Sequence, residues 1–196
     1  MITKPSALLR HFDVYPKKSL GQNFMYDPIW IDRIINASEI SNSDVVLEIG
    51  PGSGSLTTAL AAVARKVIAV EIDNRLMPIL NHVLSGYSNV TVVCGDILEY
   101  DPYKLVAQHG VSKFVVVANI PYYITGQIMR HLLQANMVPD FITMSVQREV
   151  AERMVASSGQ MSLLSVSIQF YADVKIVDYI PAGAFYPVPA VDSALI

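Results

Sequence analysis

Apolar runs of about five residues alternate along this chain with longer segments whose apolar residues recur every three or four positions. The runs predict strands, because successive buried side chains suit a strand covered on both faces. They lie at 45–49, 66–70, 90–94, 114–118 and 141–146, and two later strands are predicted at 175–180 and 191–196.

The segments between these runs predict helices, since one face of each is apolar at helical spacing. They lie at 28–35, 55–64, 76–83, 103–108, 126–134 and 149–156. Residues 1–26 are interpreted as irregular, and segment 162–171 leaves helix and strand open. Alternating strands and helices predict an α/β fold, with a mostly parallel seven-stranded sheet and helices on both faces.

Composition is consistent with one such domain and adds a cellular setting. The chain has 196 residues, of which 52% are apolar and 16% charged, enough for one buried core. The single cysteine, Cys94, excludes a disulfide framework and a cysteine-ligated metal site. No signal peptide is evident, and the uncharged segment 154–172 is too polar to span a bilayer. We therefore expect a cytoplasmic, monomeric enzyme without metal or membrane contact.

Charge is unevenly distributed. The net charge of −3 argues mildly against a nucleic-acid partner. Four basic residues, however, precede residue 27, where Asp13 is the only acid. They are Lys4, Arg10, Lys17 and Lys18. The N-terminus is therefore either a basic arm or an ordinary solvated tail.

Candidate chemistry follows the strands, as expected where ligands bind beyond the carboxyl ends of a parallel sheet. Residues 50–54 read Gly-Pro-Gly-Ser-Gly, and Glu71 follows about twenty positions later. Such a loop brings backbone close to a ligand, and the acid can bind both ribose hydroxyls. The last glycine of the dinucleotide pattern is missing, which favours S-adenosyl-L-methionine (SAM) over a dinucleotide. A tight turn without ligand is the alternative.

A second acid, Asp96, follows the third strand and could accept a hydrogen bond from an adenine amino group. Ile72 and Ile97 could then enclose the ring. Considered alone, Asp96 is better explained as a helix N-cap or turn residue; Gly50 and Glu71 at matching strand ends favour the binding role.

The most specific motif follows the fourth strand. Residues 119–122 read Asn-Ile-Pro-Tyr and resemble the signature of methyltransferases that act on amino groups conjugated to a ring. The Asn119 oxygen and the carbonyl of Ile120 or Pro121 could accept both amino hydrogens of such a substrate. No histidine lies near a predicted strand end, so no general base is expected. A loop packed through its proline and aromatic side chains is the alternative.

Taken together, the motifs resemble ribosomal RNA adenine dimethyltransferases of the KsgA type along essentially the whole chain. The matching segments are 20–24, 48–54, 71, 95–96, 119–122, 147–153 and 185–193. The resemblance implies a Rossmann-like SAM-dependent methyltransferase fold. It implies SAM contacts at Asn23, Met25, Gly50, Glu71, Asp96 and Asn119, to which we add Gly52, Ile72 and Ile97.

By the same resemblance, Asn119, Pro121 and Tyr122 form the catalytic loop, and Tyr122 and Phe185 hold a flipped adenine between them. Two departures are evident. Met161-Ser162 stands where the family has an aromatic-glycine pair, and the chain stops at Ile196, where family members continue into a small helical domain. We expect an N-terminal arm at 1–26 that contributes to the cofactor and RNA sites, a catalytic domain at 27–196, and no helical RNA-binding domain.

The expected activity is SAM-dependent N6,N6-dimethylation of two adjacent adenines in 16S-type rRNA, within a pre-ribosomal particle. Three alternatives remain open. They are a large-subunit rRNA adenine methyltransferase of the antibiotic-resistance type, a non-catalytic assembly or transcription factor on the same fold, and a nicotinamide oxidoreductase.

Overall fold

The computed structural model describes residues 4–111 and 113–196, and nine strands form within them. The strands are β1 Phe24–Met25, β2 Val45–Ile49, β3 Lys66–Glu71, β4 Val90–Cys94, β5 Val115–Asn119, β6 Phe141–Gln147, β7 Asp178–Ile180, β8 Phe185–Tyr186 and β9 Ser193–Leu195. Seven of them form one sheet in the order β4-β3-β2-β5-β6-β9-β7. The pairs from β4 to β6 are parallel, and β9 is antiparallel to both β6 and β7. The predicted mostly parallel, seven-stranded sheet is confirmed.

Helices lie between the strands in chain order. They are α1 Pro5–His11, α2 Pro28–Ala37, α3 Ser55–Val63, α4 Met77–Val83, α5 Pro102–Ala107, α6 Thr125–Leu133, α7 Arg148–Met154 and α8 Leu163–Gln169. The open segment 162–171 is resolved as α8, because Ser162 and Ser165 form a reciprocal capping box at its start. Within the part of the chain described, none of these helices is long and apolar enough to cross a membrane.

The central strand β2 is buried along its whole length. Its alternate residues face two different core layers, as the two-residue period of a strand requires. Leu47 packs in a cluster that also contains Ile128 of α6, whereas Val46 packs in another with Leu60 of α3. Burial on both faces explains why the run 45–49 is continuously apolar except at Glu48.

The order of the strands reverses at β2, because β3 lies on one side of it and β5 on the other. The loops that follow these strands therefore diverge and leave a crevice at the carboxyl edge. Gly50, Glu71 and Asn119 lie at this edge, at or just after the ends of β2, β3 and β5.

The N-terminal segment is more ordered than the sequence predicts. Residues 1–3 of the predicted arm lie outside the described residues, but the remainder includes α1 and β1 rather than only irregular chain. β1 pairs antiparallel with β8, so that Met25 lies opposite Phe185. A two-residue strand has no detectable period, and its partner is about 160 residues away, so local pattern could not predict it. The late strands are also shorter than predicted.

Gly52 is a position where the backbone requires glycine. Its φ is +58°, and a Cβ there would lie 2.8 Å from Cδ1 of the buried Phe24. We expect Gly52→Ala to lower the free energy of unfolding by at least about 1–2 kcal/mol, because the left-handed conformation becomes strained and the Phe24 ring must move. Denaturant unfolding checks this. Gly86→Ala is the matched control, since its Cβ would contact nothing within 4 Å; an equal loss in both variants would contradict the assignment.

Candidate active site

A cleft whose enclosed cavity is about 80 Å³ opens at the carboxyl edge of the sheet, where the loops after β2, β3 and β5 diverge. Three stretches of chain form most of its wall: the end of the N-terminal segment, the glycine loop after β2 and the loop after β5. The lining residues are Leu20 to Met25, Gly50 to Ser53, Leu56, Glu71, Ile72, Leu76, Asn119 to Tyr122 and Phe185. Most of the residues predicted from sequence thus lie around one cavity.

The glycine loop brings its backbone to the cleft through positive φ angles at Gly50 and Gly52, of +73° and +58°. A methyl group at Gly50 would lie 3.5 Å from the backbone oxygen of Asn119, so the two strand ends approach closely here. A small, open backbone surface of this kind can accommodate a ligand beyond the carboxyl ends of β2 and β5.

Glu71 ends β3 and is 4% exposed. Its Oε2 accepts a hydrogen bond of 3.0 Å from the Gly52 amide, and its Oε1 accepts one of 2.9 Å from the Asp73 amide. Burial raises the pKa of Glu71, and these backbone donors partly oppose that rise. Each oxygen retains a further lone pair, so the fixed carboxylate can still accept two hydroxyl donors from the cleft.

Asp96 and Ile97 follow β4, beside Glu71, whose carbonyl accepts a 2.8 Å bond from Gly95. Neither residue lines the cleft. Oδ1 of Asp96 caps a short 3₁₀ turn by accepting a 3.0 Å bond from the Leu98 amide, while Ile97 is 4% exposed and packs in the core. Half-exposed Ile72 does line the cleft. The adenine contacts predicted for Asp96 and Ile97 stay predictions.

Asn119 ends β5 with its side chain held in one orientation. Its Nδ2 donates a 3.1 Å hydrogen bond to the backbone oxygen of Asn23, and Nδ2 of Asn23 donates to the carbonyl of Gly21 at 3.2 Å. The hydrogen bonds among the described residues leave Oδ1 of Asn119 without a donor. The amide therefore offers its oxygen as an acceptor in a cleft that it also lines.

The aromatic residues of the cleft are fixed in different ways. The Tyr122 hydroxyl and the buried Ser193 hydroxyl are 2.7 Å apart. Partial burial raises the pKa of Tyr122, with nearby Asp192 adding to the rise and the Ser193 hydrogen bond opposing it. Phe185 is 1% exposed and is held opposite Met25 by the β1–β8 pair. A flat, uncharged wall thus stands beside Asn119.

Sequence reasoning missed the polar contacts that fasten the N-terminal segment to β3. Gln22 donates a 2.8 Å hydrogen bond to Oδ2 of Asp73, and Arg75 forms a 2.6 Å ion pair with the same carboxylate. Burial acts to raise the pKa of Asp73, but the bonds from Arg75 and Gln22 outweigh it, so that the pKa is lowered. The sequence feature that indicates these contacts is the run Gly21-Gln22-Asn23, whose middle side chain is polar.

Glu48 is a second buried acid, on the β2 face that packs against α3. It is 1% exposed, and neither carboxylate oxygen has a hydrogen-bond partner among the described residues. Burial raises its pKa to about 8, and the charge of Glu71 adds to the rise. Glu48 therefore lies beneath the glycine loop as a largely neutral carboxyl group at neutral pH.

The site has no imidazole base or metal-binding cluster within the described residues. None of the histidines lines the cleft, and no three His, Cys, Asp or Glu side chains in this part of the chain are placed to hold a metal ion. Backbone groups, one amide oxygen, a buried carboxylate and an aromatic wall supply its chemistry.

Comparisons with known proteins agree with this geometry. A family model described as ribosomal RNA adenine dimethylase matches residues 15–196. Ribosomal RNA small subunit methyltransferase A of Latilactobacillus sakei subsp. sakei (strain 23K) is 45% identical over 98% of this chain and 66% of its own length. The chain thus spans about two thirds of the length of the curated relatives it matches.

Two solved structures are similar in both fold and sequence. The crystal structure of 23S rRNA methyltransferase ErmE has a TM-score of 0.76 and 36% identity, covering 88% of this chain and 68% of that one. A dimethyladenosine transferase from Plasmodium falciparum has a TM-score of 0.76 and 33% identity, covering 88% and 61%.

The unpartnered carboxyl group of Glu48 predicts a pH-dependent stability. Its ordinary pKa is 4.5 and its pKa in the fold is about 8, so the folded protein binds the extra proton between these values. The free energy of unfolding must then decrease as pH rises through this window. We expect the Tm of the wild type to fall relative to that of Glu48→Gln between about pH 5 and about pH 9. Parallel Tm profiles would contradict the assignment.

Proposed function

The chain belongs to the ribosomal RNA adenine dimethylase family, and on that premise we propose that its cleft transfers methyl groups from SAM to N6 of two adjacent adenines in small-subunit rRNA. The family assignment made from the sequence motifs is confirmed. The choice of small-subunit rRNA is supported by the curated relatives, which are named for the small subunit and reach 45% identity. ErmE, whose name specifies 23S rRNA, is 36% identical.

The observation that carries the proposal is the fixed orientation of the Asn119 amide. An adenine amino group is a poor nucleophile because its lone pair is delocalised into the ring. With Nδ2 bound to Asn23, Oδ1 is free to accept one amino hydrogen, and the carbonyl of Ile120 or Pro121 can accept the other. Two acceptors favour a pyramidal nitrogen and stabilise the positive charge that develops on it during transfer.

The cofactor contacts are proposed from the same geometry. SAM supplies a methyl group already activated by its sulfonium. The ribose hydroxyls of SAM would donate to the free lone pairs of Glu71. The open backbone at Gly50 and Gly52 would leave room for the rest of the cofactor beyond the ends of β2 and β5. Met25, Asn23 and Ile72 line the same cavity. Oδ2 of Asp96 would accept a hydrogen bond from the adenine amino group of the cofactor, since only Oδ1 accepts one from the described residues.

The target base would enter beside Tyr122 and Phe185, both of which line the cleft. A paired adenine cannot reach Asn119, so the base must be unpaired or flipped, which costs a few kcal/mol. Stacking on the Tyr122 ring, held in place through Ser193, offsets part of that cost. The segment up to residue 26 contributes to both halves of the site, the remainder forms the catalytic domain, and the proposed setting is a monomeric cytoplasmic enzyme acting on a pre-ribosomal particle.

The direct test incubates the protein and labelled SAM with small and, in parallel, with large ribosomal subunits that lack the methyl groups, then maps the modified nucleotides. Calorimetric titrations with SAM and with a nicotinamide dinucleotide accompany it. We expect label in two adjacent adenines. Label only in large subunits would favour the large-subunit alternative, and RNA binding without transfer would favour a non-catalytic factor. Binding of a nicotinamide dinucleotide in place of SAM would favour an oxidoreductase. Each of these three results overturns the proposal.

Removal of the Asn119 acceptor should affect turnover more than cofactor binding. We expect Asn119→Ala to lower kcat about 100-fold or more, the loss typical of removing one donor or acceptor from a transition-state site. The dissociation constant for SAM, measured by calorimetry, should change much less. Asn136→Ala, at an exposed asparagine, is the control. Near-wild-type turnover in Asn119→Ala would refute the mechanism.

Loss of charge at Glu71 should instead weaken cofactor binding. Hydrogen bonds to a charged group contribute about 1.5–3 kcal/mol, so Glu71→Gln should raise the dissociation constant for SAM by roughly 10- to 100-fold. Calorimetric titration measures this directly, with the exposed Glu39→Gln as control. Unchanged affinity in Glu71→Gln would remove the proposed ribose contact.

A further inference from the structure

The catalytic loop has a second tyrosine with no part in the chemistry described above. Tyr123 follows Tyr122 directly in a 3₁₀ turn, yet 65% of Tyr123 is exposed. One edge of its ring is packed: a Cβ at Gly21 would lie 3.4 Å from Cε1 and 3.5 Å from Cδ1 of Tyr123. The ring is therefore held at one edge while much of its surface faces solvent.

This ring lies at the rim of the cleft. Gly21 and Pro121 both line the cavity, and a Cβ at Gly21 would also lie 3.1 Å from Cβ of Pro121. Tyr123 thus adjoins two residues of the cleft wall, while its own ring lies outside the cavity. An exposed aromatic ring at the rim can contact the part of a bound nucleic acid that lies next to the base inside the cleft.

Two lysines lie in the segment that leads to Gly21, whose amide donates a 3.0 Å hydrogen bond to the carbonyl of Lys18. Gly21 ends the short turn Lys18–Leu20, and both Lys17 and Lys18 are exposed. Neither lysine forms an ion pair with any of the described residues. Exposed lysines beside an exposed aromatic ring are the combination that binds single-stranded nucleic acid, in which bases stack and phosphates meet cations.

We propose that Tyr123 is a stacking platform for the nucleotide adjacent to the target adenine, with Lys17 and Lys18 supplying charge to the adjoining phosphates. The inference rests on the proposed function, since it requires an extruded adenine in the cleft. Extrusion removes a stacking partner from the neighbouring base, and the Tyr123 ring replaces it. Stacking accepts any base, so the platform can hold either neighbour when the two adenines are methylated in turn.

The test compares small subunits reconstituted with rRNA that carries either adenine or an abasic residue next to the target adenine. We expect wild-type kcat/KM to be at least about fivefold lower on the abasic substrate. Tyr123→Ala should lose a similar factor on the adenine substrate and little more on the abasic one. Tyr123→Phe should behave as wild type. Tyr87→Ala, at a tyrosine between α4 and β4, is the control and should leave both rates unchanged.

Two other outcomes separate the possible failures. If Tyr123→Ala lowers the rate and the abasic residue lowers it again by the full factor, the ring acts by holding Gly21, and the platform is refuted. If the wild type transfers no methyl group to either substrate, the proposed function itself fails. Calorimetric SAM affinity equal to wild type in Tyr123→Ala is required, because a change would show that the loop has moved.

The lysines are tested by the salt dependence of binding to the same adenine-containing subunits. Each phosphate contact that is lost should reduce the slope of log K against log salt by about 0.7. Lys17→Gln combined with Lys18→Gln should therefore flatten the slope by roughly 1.4. Lys175→Gln, at an exposed lysine before β7, should leave it unchanged. An unaltered slope in the double variant would exclude the two lysines from the RNA contact.

Discussion

Parallel pairing of β2 with β3 on one side and β5 on the other is the constraint on which the site depends. The pairing places three strand ends at one edge, and each end supplies a different function: open backbone at Gly50, a carboxylate at Glu71 and an amide oxygen at Asn119. A one-residue slip in either register would turn these side chains to the opposite face.

The same arrangement carries a cost in stability. Glu48 and Glu71 lie in or at the ends of adjacent buried strands, and burial raises the pKa of both. Two backbone amides donate hydrogen bonds to Glu71 and offset part of the free-energy cost of burying its charge; one of them belongs to the glycine loop. Glu48 has no such backbone donor, and burial raises its pKa to about 8. The fold thus holds the Glu71 carboxylate in place through hydrogen bonds and buries Glu48 as a largely neutral carboxyl group.

Local pattern predicted the elements that form from local signals. Strands β2 and β4 have the predicted bounds because continuous apolar runs mark them. The residues at the ends of β2, β3 and β5 line the cleft, as the parallel order of these strands predicts, whereas those after β4 do not. The β1–β8 pair and the Gln22–Asp73 bond join distant segments through very few residues, so no periodicity indicates them. Whether the Ile97 side chain faces the core or a ligand depends on the backbone conformation of the turn after β4, which the sequence does not specify.

The N-terminal segment links the two halves of the site. Gln22 binds Asp73, whose amide donates a hydrogen bond to Glu71; the carbonyl of Asn23 orients the Asn119 amide, and Gly21 supports the ring of Tyr123. These three successive residues therefore contact the proposed cofactor side, the transfer point and the proposed RNA side. Because β1 pairs with β8, Phe185 is positioned by the same segment. Displacement of this short stretch would move Asp73, the Asn119 amide and Phe185 together, so the geometry of the whole cleft depends on it.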